Sequence, residues 1–543
     1  METYNCEYLV LGAGAAGCPL ASLLSKHFVT ILLEAGQNAD RDATIIAPLA
    51  TVPYSAECNA AKYYWQGITC ANPNTNNRQF QWTNGRLVGG GSSINGSIFN
   101  KGSPLRLQQW ADIIGPEWGP GPVYKDYKKM EQIFGPPGTY DEESHGKHGK
   151  MAIRVGVADD TATPDFTAAI IETGVPGAQK IIDYNNPNTP IGVFDNFQYF
   201  QFPDGTRASA SRTFLDKNVI NKKGEGVNCH KLFLLAQTTA TQLIWSDKEN
   251  RVEAVIALKD GKPILIKVSE DVIVSMGFNS SAFLQVNGVG PRDILEKAGV
   301  RVRVDLANVG QGLKNNFFIP ANVFIPPPGT KINSDPATFY SGGAFLPDPR
   351  PGTNPLQRDV ELSSILVPLG PGGSLLYIVV VEAPLLVKSN GSIKIDNADP
   401  LKIAKVDIGF LNDPADLEMT VAVYQLIMKP LFLNLIAKGY FLVQPSIATI
   451  DDPVALREFI RNNVSNGHHY MAFNRMAPKN QGGVTDAWGS VYGTKNLRIV
   501  DDSIAPLNLD GNTNGIAELI GFRIARHIIK KYKKKSKEST SEC

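Results

Sequence analysis

At 543 residues the chain is long enough for about two or three domains with sizeable cores. Its formal charge is only +1 and charged residues make up 19 %, so nothing in it reads as a nucleic-acid partner surface. The six cysteines (Cys6, Cys18, Cys58, Cys70, Cys229, Cys543) show no metal-ligand spacing; free thiols are expected, with a Cys58–Cys70 bridge as the alternative in an oxidising compartment.

The first predicted element is a buried strand, the apolar run Tyr8 to Leu11, entering Gly12-Ala-Gly14-Ala-Ala-Gly17. Ala15 to His27 follows with helical spacing, Leu20, Leu23 and Leu24 on one side. Gly12 permits the tight turn and Gly14 lets the backbone approach a pyrophosphate. Gly17 lets the helix pack on the strand, with Ala15 and Ala16 at its open N-terminus. Pro19 sits in the first turn, where no amide donor is missed. A second apolar run, Phe28 to Leu33, ends at Glu34, followed by Ala35 and Gly36. A carboxylate there accepts both ribose hydroxyls and repels a 2′-phosphate. The pattern predicts a dinucleotide site, and the Glu34-x-Gly36 ending favours FAD over NAD.

A second glycine-rich segment runs Gly85-Arg-Leu-Val-Gly-Gly-Gly-Ser-Ser-Ile-Asn95 and on to Gly102. Its successive glycines expose amides to an anion, and Ser92, Ser93 and Asn95 supply short polar contacts. With Gln108 and Trp110 beyond, this segment resembles the first signature of the glucose–methanol–choline (GMC) oxidoreductases. In that family the loop wraps the FAD pyrophosphate and follows the flavin edge. The resemblance thus implies cofactor contacts from Arg86, Gly89, Gly90, Ser92, Asn95, Gly96 and Ser97. Gly205 to Leu215 is similar to the segment leading back into the FAD domain, and Leu232 to Trp245 to the strand that meets the adenine, at Ala240. Asp271 to Gly277 and on to Pro291 resembles the second signature and implies Gly277. Phe278, Ala282, Gln285 and Asn287 depart from it, as do Gly312, Asn315 and Asn316 from a later block. The C-terminal blocks, His469 to Met476, Gly482 to Asp486, Leu497 to Asp501 and Gly511 to Gly515, follow in family order and add Asp501.

The activity this implies is alcohol oxidation: a base takes the hydroxyl proton while the α-carbon gives hydride to flavin N5, and oxygen or another acceptor reoxidises the flavin. By resemblance His469 is the base and Asn512 fills the second position. The division suits the chemistry, since imidazole titrates near neutrality whereas an amide can only anchor and orient. Asn514 and Gly515 would offer donors at the flavin O2 edge. Ile94 stands where covalently linked relatives carry histidine, which implies non-covalent FAD. His468 is read as packing; adjacent residues point apart, so no metal site is expected. Phe317, Phe318, Phe324, Phe339, Tyr340 and Phe345 fall where relatives line the substrate channel, which hints at an aromatic or apolar primary alcohol. Two alternatives stay open: a catalytically decayed flavin-binding or structural protein, motivated by the departures, and a hydroxynitrile lyase on the same scaffold. For the lyase, the leading fifty residues also echo the plant mandelonitrile lyases.

The expected fold class is α/β (α+β overall): a Rossmann-like FAD-binding domain, and a substrate domain built on an antiparallel sheet plus helices. The FAD domain is discontinuous, 1–115, 205–315 and 480–535, and 116–204 with 316–479 make the substrate domain. The β-branched run Tyr377 to Val381 and the alternation in Ser392 to Ile395 predict sheet. No membrane span is expected; the best apolar stretch, Leu375 to Val387, is broken by Glu382 and Pro384. The basic end, 536–543, is expected to be a solvated, frayed tail. The first strand begins within seven residues of Met1, so a cytosolic or otherwise non-secreted product is expected.

Overall fold

A computed structural model describes residues 1–47, 60–246, 248–369 and 373–541. Among the described residues Cys6, Cys18, Cys70 and Cys229 are free thiols; Cys58 and Cys543 lie outside them.

Short apolar runs without polar alternation build sheets buried on both faces, and such sheets are parallel. Tyr8–Leu11 and Thr30–Leu33 are buried at every residue and pair in parallel, joined by the helix Gly17–Leu24. The full sheet has five parallel strands in the order Leu232–Leu235, Thr30–Leu33, Tyr8–Leu11, Val272–Val274, Leu497–Ile499. All five come from the segments 1–115, 205–315 and 480–535. The long helix Asn514–Ser541 packs on Gly17–Leu24. A four-stranded sheet, Glu2–Cys6 with Lys262–Val268, Val252–Lys259 and Thr238–Trp245, shares the same core.

The second sheet is antiparallel. Its main path runs Phe441–Gln444, Phe317–Ile325, Leu376–Glu382, Val360–Val367, Gly343–Leu346, Gly192–Phe194, and these strands come from 116–204 and 316–479. Alternation sorts its faces: in Val360–Val367, Leu362 joins the helix-covered core while Glu361, Ser363 and Ile365 face a cavity. Helices Pro414–Val423 and Lys429–Ala437, joined through the π-helical turn Tyr424–Met428, cover the core side. The segment Pro414–Ala437 is long and apolar enough to cross a membrane, with a mean hydropathy of 1.5, although the sequence expectation pointed to no span. In this fold 56 % of its most apolar window is buried inside the protein.

The last helix, Asn514–Ser541, runs into the segment read from sequence as the basic tail, and 542–543 lie outside the described residues. Its first part is anchored in the core, and extending an anchored helix adds a hydrogen bond per residue without a new nucleus.

Candidate active site

A cavity of about 1020 Å³ runs between the parallel sheet and the antiparallel one. At one end lie Gly12, Gly14, Ala15, Ala16, Glu34 and Ala35, with Ala240 on the facing strand. Gly12 has φ +108°, and a Cβ there would sit 2.2 Å from the Ser275 carbonyl oxygen. Gly90, at φ +53°, brings the second glycine loop onto the first; a Cβ would sit 2.7 Å from Gly14 Cα. The helix after the first loop has no side-chain cap and no acidic residue in its first turn, so its amides stay open to an anion.

Glu34 ends the strand Thr30–Leu33 with a carboxylate that accepts the Ala13 amide (3.1 Å) and the Gly36 amide (2.8 Å). Burial pushes it up to about 7, and these two backbone bonds oppose the rise. A 6 % exposed carboxyl that still lines the cavity can take two vicinal hydroxyls as its remaining donors. Open helix amides beside a diol acceptor suit a dinucleotide, and the chamber beyond leaves room for a second ring system.

Not every residue expected at the cofactor reaches the cavity. Asn95, Gly96, Ser97, Gly277, Asp501 and Asn514 line it, whereas Gly17, Arg86, Gly89, Ser92 and Gly515 do not. Arg86 stacks on Trp65 (4.8 Å), and Ser92 is spent within the loops, donating to Gly89 O (2.6 Å) and accepting from the Ala210 amide (2.9 Å). Gly17, Gly89 and Gly515 allow close packing, since a Cβ at each would meet Gly12 O, Ser93 Oγ or Asn100 O. Asn514 turns its amide nitrogen to buried Glu518 (2.9 Å), so the donors at that end are the first amides of the helix Asn514–Ser541. Asn95 Oδ1 accepts from buried Arg207 (2.9 Å), which pins the loop at four acceptors on Ser92, Asn95 and Ser97. Asp501 accepts the Gly277 amide (3.0 Å) and Ser280 Oγ (2.6 Å), tying together the segments that follow the neighbouring strands Val272–Val274 and Leu497–Ile499.

At the other end His469 and Asn512 face one another, His469 Nε2 lying 3.5 Å from Asn512 Nδ2. Asn512 Oδ1 is buried with no partner. The main chain at His469 is stitched to its neighbour strand: Asn315 Oδ1 accepts its amide (2.9 Å), and Met471 and Lys314 exchange amide bonds at 2.8 and 2.9 Å. His469 Nδ1 meets Glu382 Oε1 at 3.0 Å, a contact that favours the tautomer with the proton on Nδ1 and leaves Nε2 an acceptor facing Asn512. The neighbouring His468 Nδ1 instead pairs with the Tyr470 hydroxyl (3.0 Å), so the two imidazoles diverge. Ile94 lines the chamber and offers no nucleophile for a covalent link.

Glu382 escapes sequence reasoning. It is the single charge ending the apolar strand Leu-Tyr-Ile-Val-Val-Val-Glu, and that isolation was its signal. Glu361 lies directly opposite on the adjacent strand. Of the expected aromatic channel, Phe318, Phe339 and Tyr340 line the cavity. Phe317, Phe324 and Phe345 are core instead, because they alternate to the covered faces of their strands or pack against Phe410, Phe432 and Arg358. Phe278, a departure from the resemblance, also lines it, between Trp82 (4.8 Å) and Tyr470 (4.3 Å). Two other departures are structural anchors, Gln285, which bonds Val309 O (3.2 Å), Ile393 O (2.9 Å) and the Ile395 amide (2.9 Å), and Asn287, which accepts the Leu243 amide (2.7 Å), while Ala282 lines the cavity.

Comparisons with known proteins agree with this architecture. Residues 6–317 and 387–521 match the N- and C-terminal family models of GMC oxidoreductase. The chain is 26 % identical over 556 residues to an alcohol dehydrogenase [acceptor] of Pseudomonas putida, covering 97 % of this chain and 96 % of that one. It is 25 % identical over 540 residues to an oxygen-dependent choline dehydrogenase of Staphylococcus saprophyticus, covering 93 % and 91 %. Among solved structures, pyridoxine 4-oxidase from Mesorbium loti superposes with a TM-score of 0.82 at 23 % identity, over 96 % of this chain and 99 % of that one. The glycine loops, the buried Glu34 and the matched residues lead to one conclusion: the chain belongs to the GMC oxidoreductase family, and its cofactor is FAD.

Proposed function

We propose that this enzyme oxidises a primary alcohol with an aromatic body to the aldehyde, using His469 as base. The carrying observation is the His469–Asn512 gap. A hydroxyl oxygen seated on the cavity side of this pair, within reach of both nitrogens, donates its proton to Nε2 and accepts from the amide. Glu382 holds the ring in the accepting tautomer and faces the imidazolium as it forms. Asn512 fixes the oxygen, so the carbon that bears it is oriented before reaction. Phe318, Phe339 and Tyr340 provide an apolar and aromatic wall that excludes water and suits a ring. Bound FAD supplies the two-electron acceptor this oxidation requires, held non-covalently by the glycine loops and Glu34. Relatives named as alcohol and choline dehydrogenases support this reading.

The test is His469→Ala. It should retain flavin yet form aldehyde from benzyl alcohol about 10²- to 10⁴-fold more slowly than wild type. Wild-type turnover in the variant would remove the base assignment. Release of cyanide from mandelonitrile, with no alcohol oxidised, would replace the whole reading by a lyase.

A further inference from the structure

The sheet face that carries Phe318 also carries a carboxyl that this mechanism does not use. Glu361 is 4 % exposed, lines the cavity, and its Oε2 is buried without any hydrogen-bond partner. Opposed residues of an antiparallel pair share a face, so Glu361 and Glu382 present their carboxyls side by side, one strand spacing (~4.8 Å) apart. Ser363 follows two residues on, on the same face, and also lines the cavity.

The charged groups around Glu361 are Glu382 across the strand pair, the Arg358 guanidinium and the Asp510 carboxylate. Arg358 is committed elsewhere: it donates to Pro190 O (2.6 Å) and to Tyr184 O, and stacks on Phe345 (4.2 Å). Burial and the Glu382 carboxylate therefore hold Glu361 well above the usual carboxyl range, and Asp510 adds to the rise. So placed, Glu361 favours its neutral acid form. A neutral acid is both donor and acceptor, and a buried oxygen of it left unpaired is a cost that a ligand group would relieve.

We propose that Glu361, with Ser363 beside it, is a specificity subsite that binds a second hydroxyl of the substrate, so that the preferred substrates are aromatic diols and not simple aryl alcohols. The proposal rests on the alcohol-oxidation reading and narrows it. The reacting hydroxyl sits at His469 and Asn512, and Glu361 lines the same cavity, so a ring carrying a second hydroxyl can present it to that carboxyl.

The experiment compares benzyl alcohol with 1,4-benzenedimethanol on the FAD-loaded enzyme, both as kcat/KM and as equilibrium binding followed by the flavin absorption shift. Wild type should prefer the diol by about tenfold or more, the value of one buried hydrogen bond not left unmade. Glu361→Leu should bring the ratio toward one through a higher KM for the diol. Glu361→Gln, isosteric and still able to donate and accept, should retain most of the preference and also serves if the leucine variant does not fold. A wild-type ratio near one, or a preference that survives Glu361→Leu, overturns the proposal. A stronger preference for 4-(aminomethyl)benzyl alcohol over the diol overturns it too, since that requires a charged Glu361. Failure of the oxidation reading looks different: the diol binds more tightly, but neither alcohol reduces the flavin.

Discussion

Replacing Glu382 by leucine removes the carboxylate that His469 Nδ1 meets at 3.0 Å, while Asn512 and the main-chain anchor at Asn315 stay in place. As Nε2 takes the hydroxyl proton the ring becomes cationic, and the bond turns into an ion-paired one worth about 1.5–3 kcal/mol. At about 1.4 kcal/mol per decade, kcat for the reductive half-reaction falls about 10- to 150-fold. KM changes little, because the interaction strengthens only on the way to the transition state. Glu382→Gln keeps an acceptor oxygen without the charge and should lose less; Glu382→Asp should recover part of the rate. The assay is stopped-flow reduction of the flavin under anaerobic, saturating benzyl alcohol. A Glu382→Leu enzyme with wild-type flavin absorbance and wild-type reduction rate would refute the positioning role.

Three further outcomes follow from the same geometry. Glu34→Gln loses one acceptor oxygen at the ribose end and should weaken FAD binding by about tenfold or more, read by fluorescence titration of the apoprotein. Gln285→Leu leaves the Val309 and Ile393 carbonyls and the Ile395 amide without their partner; it should destabilise by about 2–4 kcal/mol and lower the thermal midpoint with flavin still bound. A fully buried network joins Lys101 to Glu131 (2.9 Å), and His145 to Glu131 (3.0 Å) and Asp183 (2.9 Å). Burial opposes the His145 charge, but Glu131 and Asp183 together hold its folded pKa above the ordinary 6.5. Its contribution is thus complete below that value and is lost as pH rises through the folded pKa. The stability gap between wild type and His145→Gln, measured by denaturant titration, should shrink on the alkaline side; a constant gap would contradict the charge assignment.

Much of this molecule was legible because its cofactor domain is written in local signals. Tyr8–Leu11, the glycines after it and Glu34 lie within one strand–helix–strand unit, where spacing and chemistry coincide. The substrate side is not local. Glu382 reaches His469 across 87 residues, and only strand pairing brings Glu361 opposite it. The aromatic run was half misread for a related reason: Phe317 and Phe318 are neighbours in sequence, but a strand sends them to opposite faces, one into the core and one to the cavity. Gln285 and Asn315 looked like lesions in a family pattern; they are side chains whose hydrogen bonds close across distant segments, which no single window can show.

The account turns on an alcohol giving up its electrons beside His469. The most direct measurement is an anaerobic titration of the purified holoprotein with benzyl alcohol and 1,4-benzenedimethanol, following the visible flavin band. The account predicts a band that bleaches with at least the diol in wild type and bleaches about 10²- to 10⁴-fold more slowly in His469→Ala. A flavin band that stays oxidised in wild type with both alcohols would contradict it.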